Sequence, residues 1–245
     1  MKAARHLPML SHESHTFIEH VQGAFDPEIL RSLRRYLENI QTERQAQTIS
    51  IREKAAIIRG ETSDAIRLDV RWFDPWRTAK PAFVKFLQPF SWIAYPVQVR
   101  MVREASHLVP WHQDLAYQKA LGIRGHRQII TCFTPLDNDP SQRATVEFSR
   151  SEVPCLEHKP SAGFAAGILG QDFGQLVHFA LRQGDCLAFG DLALHRTHIP
   201  VGAKLQRSSI EYRLIQPADA LEDKDYFDIE SGLFTRKDGT RRERP

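Results

Sequence analysis

Cysteine is scarce in this sequence. The three present, Cys132, Cys155 and Cys186, form no CxxC pair. An odd, widely spaced set excludes a disulfide framework and a zinc knuckle. Cys132 and Cys186 lie inside apolar runs and read as small core residues. Long hydrophobic stretches are also missing, since no segment approaches the roughly 20 apolar residues a membrane span requires. Met1 to Leu10 carries Lys2 and Arg5 without an uninterrupted apolar region, so no secretory leader is expected. Charge of one sign is lacking too: 33 basic residues against 30 acidic leave a net charge of +3. That balance does not point to a nucleic-acid or membrane partner. There is no internal repeat, and the stretch Asp137 to Pro140 is too short to act as a linker. These absences leave a soluble protein of a reducing compartment, expected in the cytoplasm.

What is present suits one large domain. At 245 residues, 42% hydrophobic and 9% aromatic, the chain can bury a substantial core. Asp26-Pro27-Glu28 opens the clearest helix, with a capping aspartate, proline in the first turn and an early acid. Leu30, Leu33, Leu37 and Ile40 follow at helical spacing, and Gln41 to Gln47 could extend the helix or fray. A shorter helix is predicted over Pro81 to Leu87.

Elsewhere the pattern is of strands. Ile66, Leu68, Val70 and Trp72 alternate with Arg67, Asp69 and Arg71, and Val97, Val99 and Met101 alternate with Gln98 and Arg100. Further runs cover Gln128 to Phe133, Thr145 to Phe148, Leu176 to Ala180, Cys186 to Phe189 and Ser208 to Ile215, with the turn Gly184-Asp185 before Cys186. Many short strands behind one or two helices predict a mainly β fold with supporting helices, a double-sheet jelly roll (double-stranded β-helix, cupin-like). The predicted layout is helical support over about 1–90, a jelly-roll core over about 91–217 and a polar tail over about 218–245. Within that tail the basic last ten residues read as a frayed end.

The segment Val109-Pro110-Trp111-His112-Gln113-Asp114-Leu115 carries the chemistry. In extended chain, residues i and i+2 project to one face, so His112 and Asp114 can point together into a barrel mouth. An imidazole and a carboxylate supply two ligands of a facial triad if a second histidine arrives from another strand. His195, 83 positions later and at the end of the run from Gly184 to Leu194, is the candidate. Twelve positions beyond it stands Arg207, opening the strand Arg207 to Leu214. A buried arginine is suited to hold a carboxylate, because its planar fork makes a bidentate pair and keeps its charge.

In these elements the chain resembles the phytanoyl-CoA dioxygenase-like family of iron(II) and 2-oxoglutarate dependent oxygenases. Trp111-His112-Gln113-Asp114 resembles that family's WHQD element, Gln128 to Asp137 its central strand and acidic turn, and Gly184 to Arg207 the region from second histidine to arginine. The resemblance spans roughly residues 95 to 215. It implies His112, Asp114 and His195 as iron ligands and Arg207 as the anchor of the 2-oxoglutarate carboxylate. It further implies a reaction in which O2 and 2-oxoglutarate oxidise a small-molecule substrate, giving succinate and CO2. The presence of Asp114 favours hydroxylation over halogenation. One departure is plain: Ser141 to Glu152 lacks the glycine and the PGSH-like loop usual in the family, so an acyl-CoA substrate is not carried over.

Several neighbours have competing readings. His198 could replace His195 as ligand, and Arg213, on the same strand face as Arg207, could be the anchor. Thr131 is expected to support the cosubstrate through its hydroxyl, as could Thr134, although both could be ordinary strand hydroxyls. Trp111 could lie over the metal or fill the core, and Tyr117 and Gln118 could line the substrate entrance. Arg67, Asp69, Arg71, Arg100 and Arg103 could receive a polar or anionic substrate, or form a solvated sheet face. Two rival functions remain open: a jelly-roll binding protein without turnover, and a metal-dependent hydrolase or isomerase, in which Arg207 has no evident role.

Overall fold

Residues 15–44, 70–95, 97–102, 108–115, 128–137, 139, 143–151, 154–156, 159–161, 164–168, 173–203, 207–222 and 224–242 are described by a computed structural model. The first strand, β1 (Ile18–Val21), leads into α1 (Pro27–Arg44), where the Asp26 carboxylate accepts the Glu28 amide at 2.8 Å as an N-cap. Leu30, Leu33 and Leu37 form the buried stripe of α1. A 3-10 turn (Val70–Phe73) runs into α2 (Asp74–Arg77), followed by α3 (Pro81–Leu87). Then come β2 (Trp92–Ala94), β3 (Gln98–Val102), β4 (Ile130–Pro135), β5 (Thr145–Ser149), β6 (Lys159–Ser161) and β7 (Phe164–Gly167). The chain continues through β8 (Leu176–His178), β9 (Cys186–Gly190), β10 (His195–His198), β11 (Arg207–Ile215), β12 (Tyr226–Asp228), β13 (Leu233–Thr235) and β14 (Arg241–Arg242).

The strands form two main antiparallel layers. The larger is ordered β1-β9-β4-β11-β2-β12-β13-β14, with β3 also paired to β11; the smaller is β10-β5-β8. The period of two decides which residues meet. On β11, Ile210, Tyr212 and Leu214 face the helices and join Leu30, Leu33, Leu37, Trp72, Trp76 and Phe83 in the main core. Cys132 and Cys186 lie in the same cluster as buried free thiols, as their apolar surroundings in the sequence suggested. The opposite faces of β4 and β9 send Phe133, Leu187 and Phe189 inward to meet Val146 and Phe148 of β5 between the layers. The Tyr212 hydroxyl reaches the Trp72 carbonyl at 3.0 Å, tying the helical layer to the central strand.

Two expectations are corrected. The alternating run ending at Trp72 was predicted as a strand. Residues 66–69 lie outside the described residues, and Val70–Phe73 forms a 3-10 turn. Trp72 and Phe73 are adjacent and both buried, as are Pro75 and Trp76, a demand that strand alternation cannot satisfy. The polar tail over 218–245 is likewise replaced by β12, β13 and β14, which continue the larger sheet beyond β2. Polar composition hid a few large aromatics: Phe227 and Phe234 pack on Phe73, with ring centroids 4.8 and 5.2 Å away.

The N-terminal strand fastens the end of β9. The Gly190 amide donates to the Phe17 carbonyl at 3.1 Å, and Leu192 donates to His15 at 3.0 Å. A side chain at Gly190 would overlap the His15 carbonyl oxygen. Gly190→Ala should therefore cost about 1–3 kcal/mol through overpacking, lowering the melting temperature by roughly 2–10 °C. An unchanged midpoint in calorimetry would show that β1 does not clasp β9.

Candidate metal centre

His112 and His195 are joined as backbones before they meet as side chains. Each donates its amide to the other's carbonyl, at 2.9 and 3.0 Å, making an isolated antiparallel bridge. The contact is extended by Thr197, whose amide donates to the Val109 carbonyl at 2.9 Å, while its hydroxyl oxygen accepts the Val109 amide at 3.1 Å. Between the two candidate ligands of the motif, Gln113 is fully buried and acts as a staple. Its amide nitrogen donates to the carbonyls of Pro154 and Leu192 at 3.1 and 2.9 Å, and its oxygen accepts the Leu156 amide at 2.7 Å. Gln113 and Trp111 thus face away from the centre while His112 and Asp114 face into it.

His112, Asp114 and His195 are 5–7% exposed, and one ligand atom from each lies within 4.8 Å of the others. The Nδ1 atoms of His112 and His195 sit 2.8 Å from the carbonyls of Pro110 and Ala193. A carbonyl only accepts, so each Nδ1 carries the proton and each Nε2 keeps a lone pair. Burial holds both imidazoles below the usual histidine range, and for His112 the neighbouring His195 adds to this, so both are neutral at physiological pH. For Asp114, burial works to raise the carboxyl. Arg213, the two histidines and the Thr131 hydroxyl overcome it and hold the group well below the usual carboxylate range. Two neutral imidazoles and one ionised carboxylate on a single concave face can hold a first-row divalent metal.

The competing readings separate by strand parity for the histidines and by local contacts for the others. His198 stands three residues after His195 on β10 and so projects to the outer side of the smaller sheet. Arg213 lies inside, but it is engaged: its Nη2 is 3.3 Å from Asp114 and 3.2 Å from Glu211. Thr131, expected to support a cosubstrate, instead donates its hydroxyl hydrogen to Asp114 at 2.6 Å, leaving no proton for an incoming carboxylate. Trp111 packs with Ile168 and Leu194, with the Arg196 guanidinium 4.8 Å above its ring, and fills a small outer core. Arg71 covers the Tyr36 ring and Arg100 approaches Glu211 at 3.5 Å. Tyr117, Gln118, Arg67, Asp69 and Arg103 lie outside the described residues. Sequence reasoning missed Gln113 and Glu211; the parity of Glu211 with Arg207 was the one signal for its inward position.

Arg207 differs from Arg213. It is 2% exposed, its Nη1 donates to the Thr145 carbonyl at 3.1 Å, and its Nε is buried without a hydrogen-bond partner. Its guanidinium carbon lies 5.1 Å from the Phe133 ring centroid. Among the described residues no carboxylate is within salt-bridge reach of it. Burial, with Arg100 nearby, pushes it down to about 9, still a cation at neutral pH.

No protein-family model matches the chain, and no curated protein sequence matches it. Solved structures do. The non-heme monooxygenase ThoJ in its apo form is 16% identical with a TM-score of 0.55, covering 81% of this chain and 74% of its own. EvdO2 from Micromonospora carbonacea var. aurantiaca is 13% identical with a TM-score of 0.55, covering 86% and 93%. The epimerase SnoN in complex with Fe3+, alpha ketoglutarate and nogalamycin RO is 11% identical with a TM-score of 0.53, covering 83% and 80%. This likeness is one of fold: the chain is a mainly β jelly roll, a double-stranded β-helix backed by helices. No helix among the described residues is long and apolar enough to cross a membrane.

The hold on Asp114 gives a pH prediction. A protonated imidazole or carboxyl ligates poorly, so metal binding fails as pH falls. Arg213→Met removes the strongest of the charges that keep Asp114 ionised, raising its carboxyl range. The acid limb of cobalt(II) binding should then move to higher pH, while in Arg207→Met it should stay in place. Equal limbs for parent and Arg213→Met, titrated from about pH 4 to about pH 8, would remove Arg213 from the control of Asp114.

Proposed function

We propose that the chain is an iron(II)- and 2-oxoglutarate-dependent dioxygenase that hydroxylates a small-molecule substrate, with His112, Asp114 and His195 as iron ligands and Arg207 as the cosubstrate anchor. The observation that carries this reading is Arg207 itself. A buried cation with no paired carboxylate among the described residues is costly, and the cost is offset when a carboxylate arrives to pair with its fork. A metal-dependent hydrolase or isomerase has no use for such a group. The placement suits the cosubstrate: Phe148 lies opposite His195, and Thr145, whose carbonyl holds Arg207, lies three residues along β5, about 10 Å at strand rise.

With iron(II) bound, the centre supplies oxidation of the substrate by O2, coupled to decarboxylation of 2-oxoglutarate to succinate and CO2. The chain's own residues do the positioning. His112 and His195 present fixed, neutral nitrogens, and Asp114 presents a carboxylate kept ionised by Arg213 and Thr131. Val146, Phe148, Leu187 and Phe189 line the interior and exclude water. Arg213 keeps one buried nitrogen, Nη1, without a partner, a donor suited to a polar or anionic substrate. The WHQD run supports placement near the phytanoyl-CoA dioxygenase-like enzymes, without their acyl-CoA substrate.

The test begins with anaerobic addition of iron(II) and 2-oxoglutarate, where a weak visible charge-transfer band is expected. Succinate formation is then measured against 2-oxoglutarate concentration. Arg207→Ala should raise the apparent constant by roughly two to three decades while iron binding stays near normal. Arg207→Lys should recover part of the loss, since an ammonium keeps the charge without the fork. His195→Ala should abolish turnover and His198→Ala should retain it. A steep rise for Arg213→Ala with no change for Arg207→Ala would put the anchor at the wrong end of β11.

A further inference from the structure

The smaller sheet carries a second group of metal-ligating side chains on its outer face, away from the candidate iron centre. Glu147 sits at the middle of β5, with His178 of β8 directly opposite on one side and Arg196 of β10 on the other. His198 is the next outward residue on β10 after Arg196. Three adjacent strands thus each contribute one potential ligand to one patch. Glu147 is 5% exposed, unusual for a carboxylate on the outside of a sheet.

Its two oxygens are differentiated. Oε2 accepts from Nε and lies 2.7 Å from both Nε and Nη2 of Arg196, whose guanidinium is held over Trp111. Oε1 faces His198 Nδ1 at 3.4 Å. The imidazoles of His178 and His198 are nearly parallel, 17° apart with centroids at 5.1 Å. One ligand atom from each of Glu147, His178 and His198 lies within 4.8 Å of the others.

We propose that Glu147, His178 and His198 form a second metal site, for a zinc-like divalent ion, that clips β10, β5 and β8 together from outside. At zinc bonds of roughly 2.0–2.1 Å, two ligand atoms at a tetrahedral angle lie about 3.4 Å apart. The observed separation of Oε1 and His198 Nδ1 is 3.4 Å, so closing the site requires mainly a turn of the exposed His178 ring. Two imidazoles and a carboxylate suit zinc, nickel or copper rather than magnesium or calcium, which require oxygen donors. Arg196 orients Glu147 and occupies the oxygen the ion does not need, while its charge weakens the site. The inference does not depend on the proposed oxygenase chemistry, because the two sites lie on opposite faces of β10.

The test is zinc stoichiometry by equilibrium dialysis with elemental analysis. His178→Ala, His198→Ala and Glu147→Gln should each bind one zinc ion fewer per chain than the parent, and His112→Ala should lose a different one. The double variant His112→Ala/His178→Ala should therefore lose two. His178 is exposed, so its truncation leaves folding intact and keeps the comparison decisive even if Glu147→Gln fails to fold. Arg196→Gln, which removes the competing cation, should bind the outer zinc more tightly than the parent. Equal zinc content in parent, His178→Ala and His198→Ala overturns the site. So does an outer zinc lost in Arg196→Gln, which would make the cluster a structural ion pair.

Discussion

The reciprocal hydrogen bonds between His112 and His195 are the contact on which the centre depends. They join chain segments far apart in sequence, with Thr197 and Val109 extending the contact. Because the partners are directly opposed, their side chains leave the same face of the pair, with ring centroids 4.0 Å apart. Gln113 and Thr197 hold the surrounding backbone, and the segment preceding β1 holds the loop before His195 through His15 and Asp191, which meet at 2.8 Å. The imidazoles are consequently aimed by the backbone itself, the preorganisation that the proposed iron centre requires.

Charge inside the barrel is arranged in two regimes. Asp114, Arg213, Glu211 and Arg100 form a chain of pairs in which acids and bases are balanced. At the start of β11, Arg207 has no carboxylate within salt-bridge reach among the described residues and spends one nitrogen on a backbone carbonyl. The first arrangement keeps Asp114 ionised; the second leaves the Arg207 Nε buried without a partner. Both follow from one strand whose odd-numbered residues face inward while Ile210, Tyr212 and Leu214 lock the other face to the helices.

The smaller sheet repeats this division of labour. The inward residues of β5 and β10, Val146, Phe148 and His195, serve the barrel interior. The outward ones, Glu147, Arg196 and His198, form a polar layer closed by Trp111 on one side and His178 on the other. His195 and His198 face opposite sides of the sheet because a three-residue step on a strand changes the face.

Much of this was legible in sequence. The helices at Pro27 and Pro81, the strand character of the segments now seen as β3, β4, β5, β8, β9 and β11, and the jelly-roll class all follow from local period and turn chemistry. These are short-range effects of the peptide backbone. The motif His112-x-Asp114, with His195 and Arg207 downstream, named the chemical groups in order. Sequence did not separate Arg207 from Arg213, assign Thr131 to Asp114, or reveal the role of Gln113, since each depends on what lies across a strand pair. Nor did it show that Val70–Phe73 turns or that β12, β13 and β14 extend the sheet, because there burial against Phe73, Trp76 and Phe227 overrides local pattern. Residue type and spacing determined which groups the protein possesses; pairing between distant strands decided which of them meet, because only register converts separation along the chain into proximity in space.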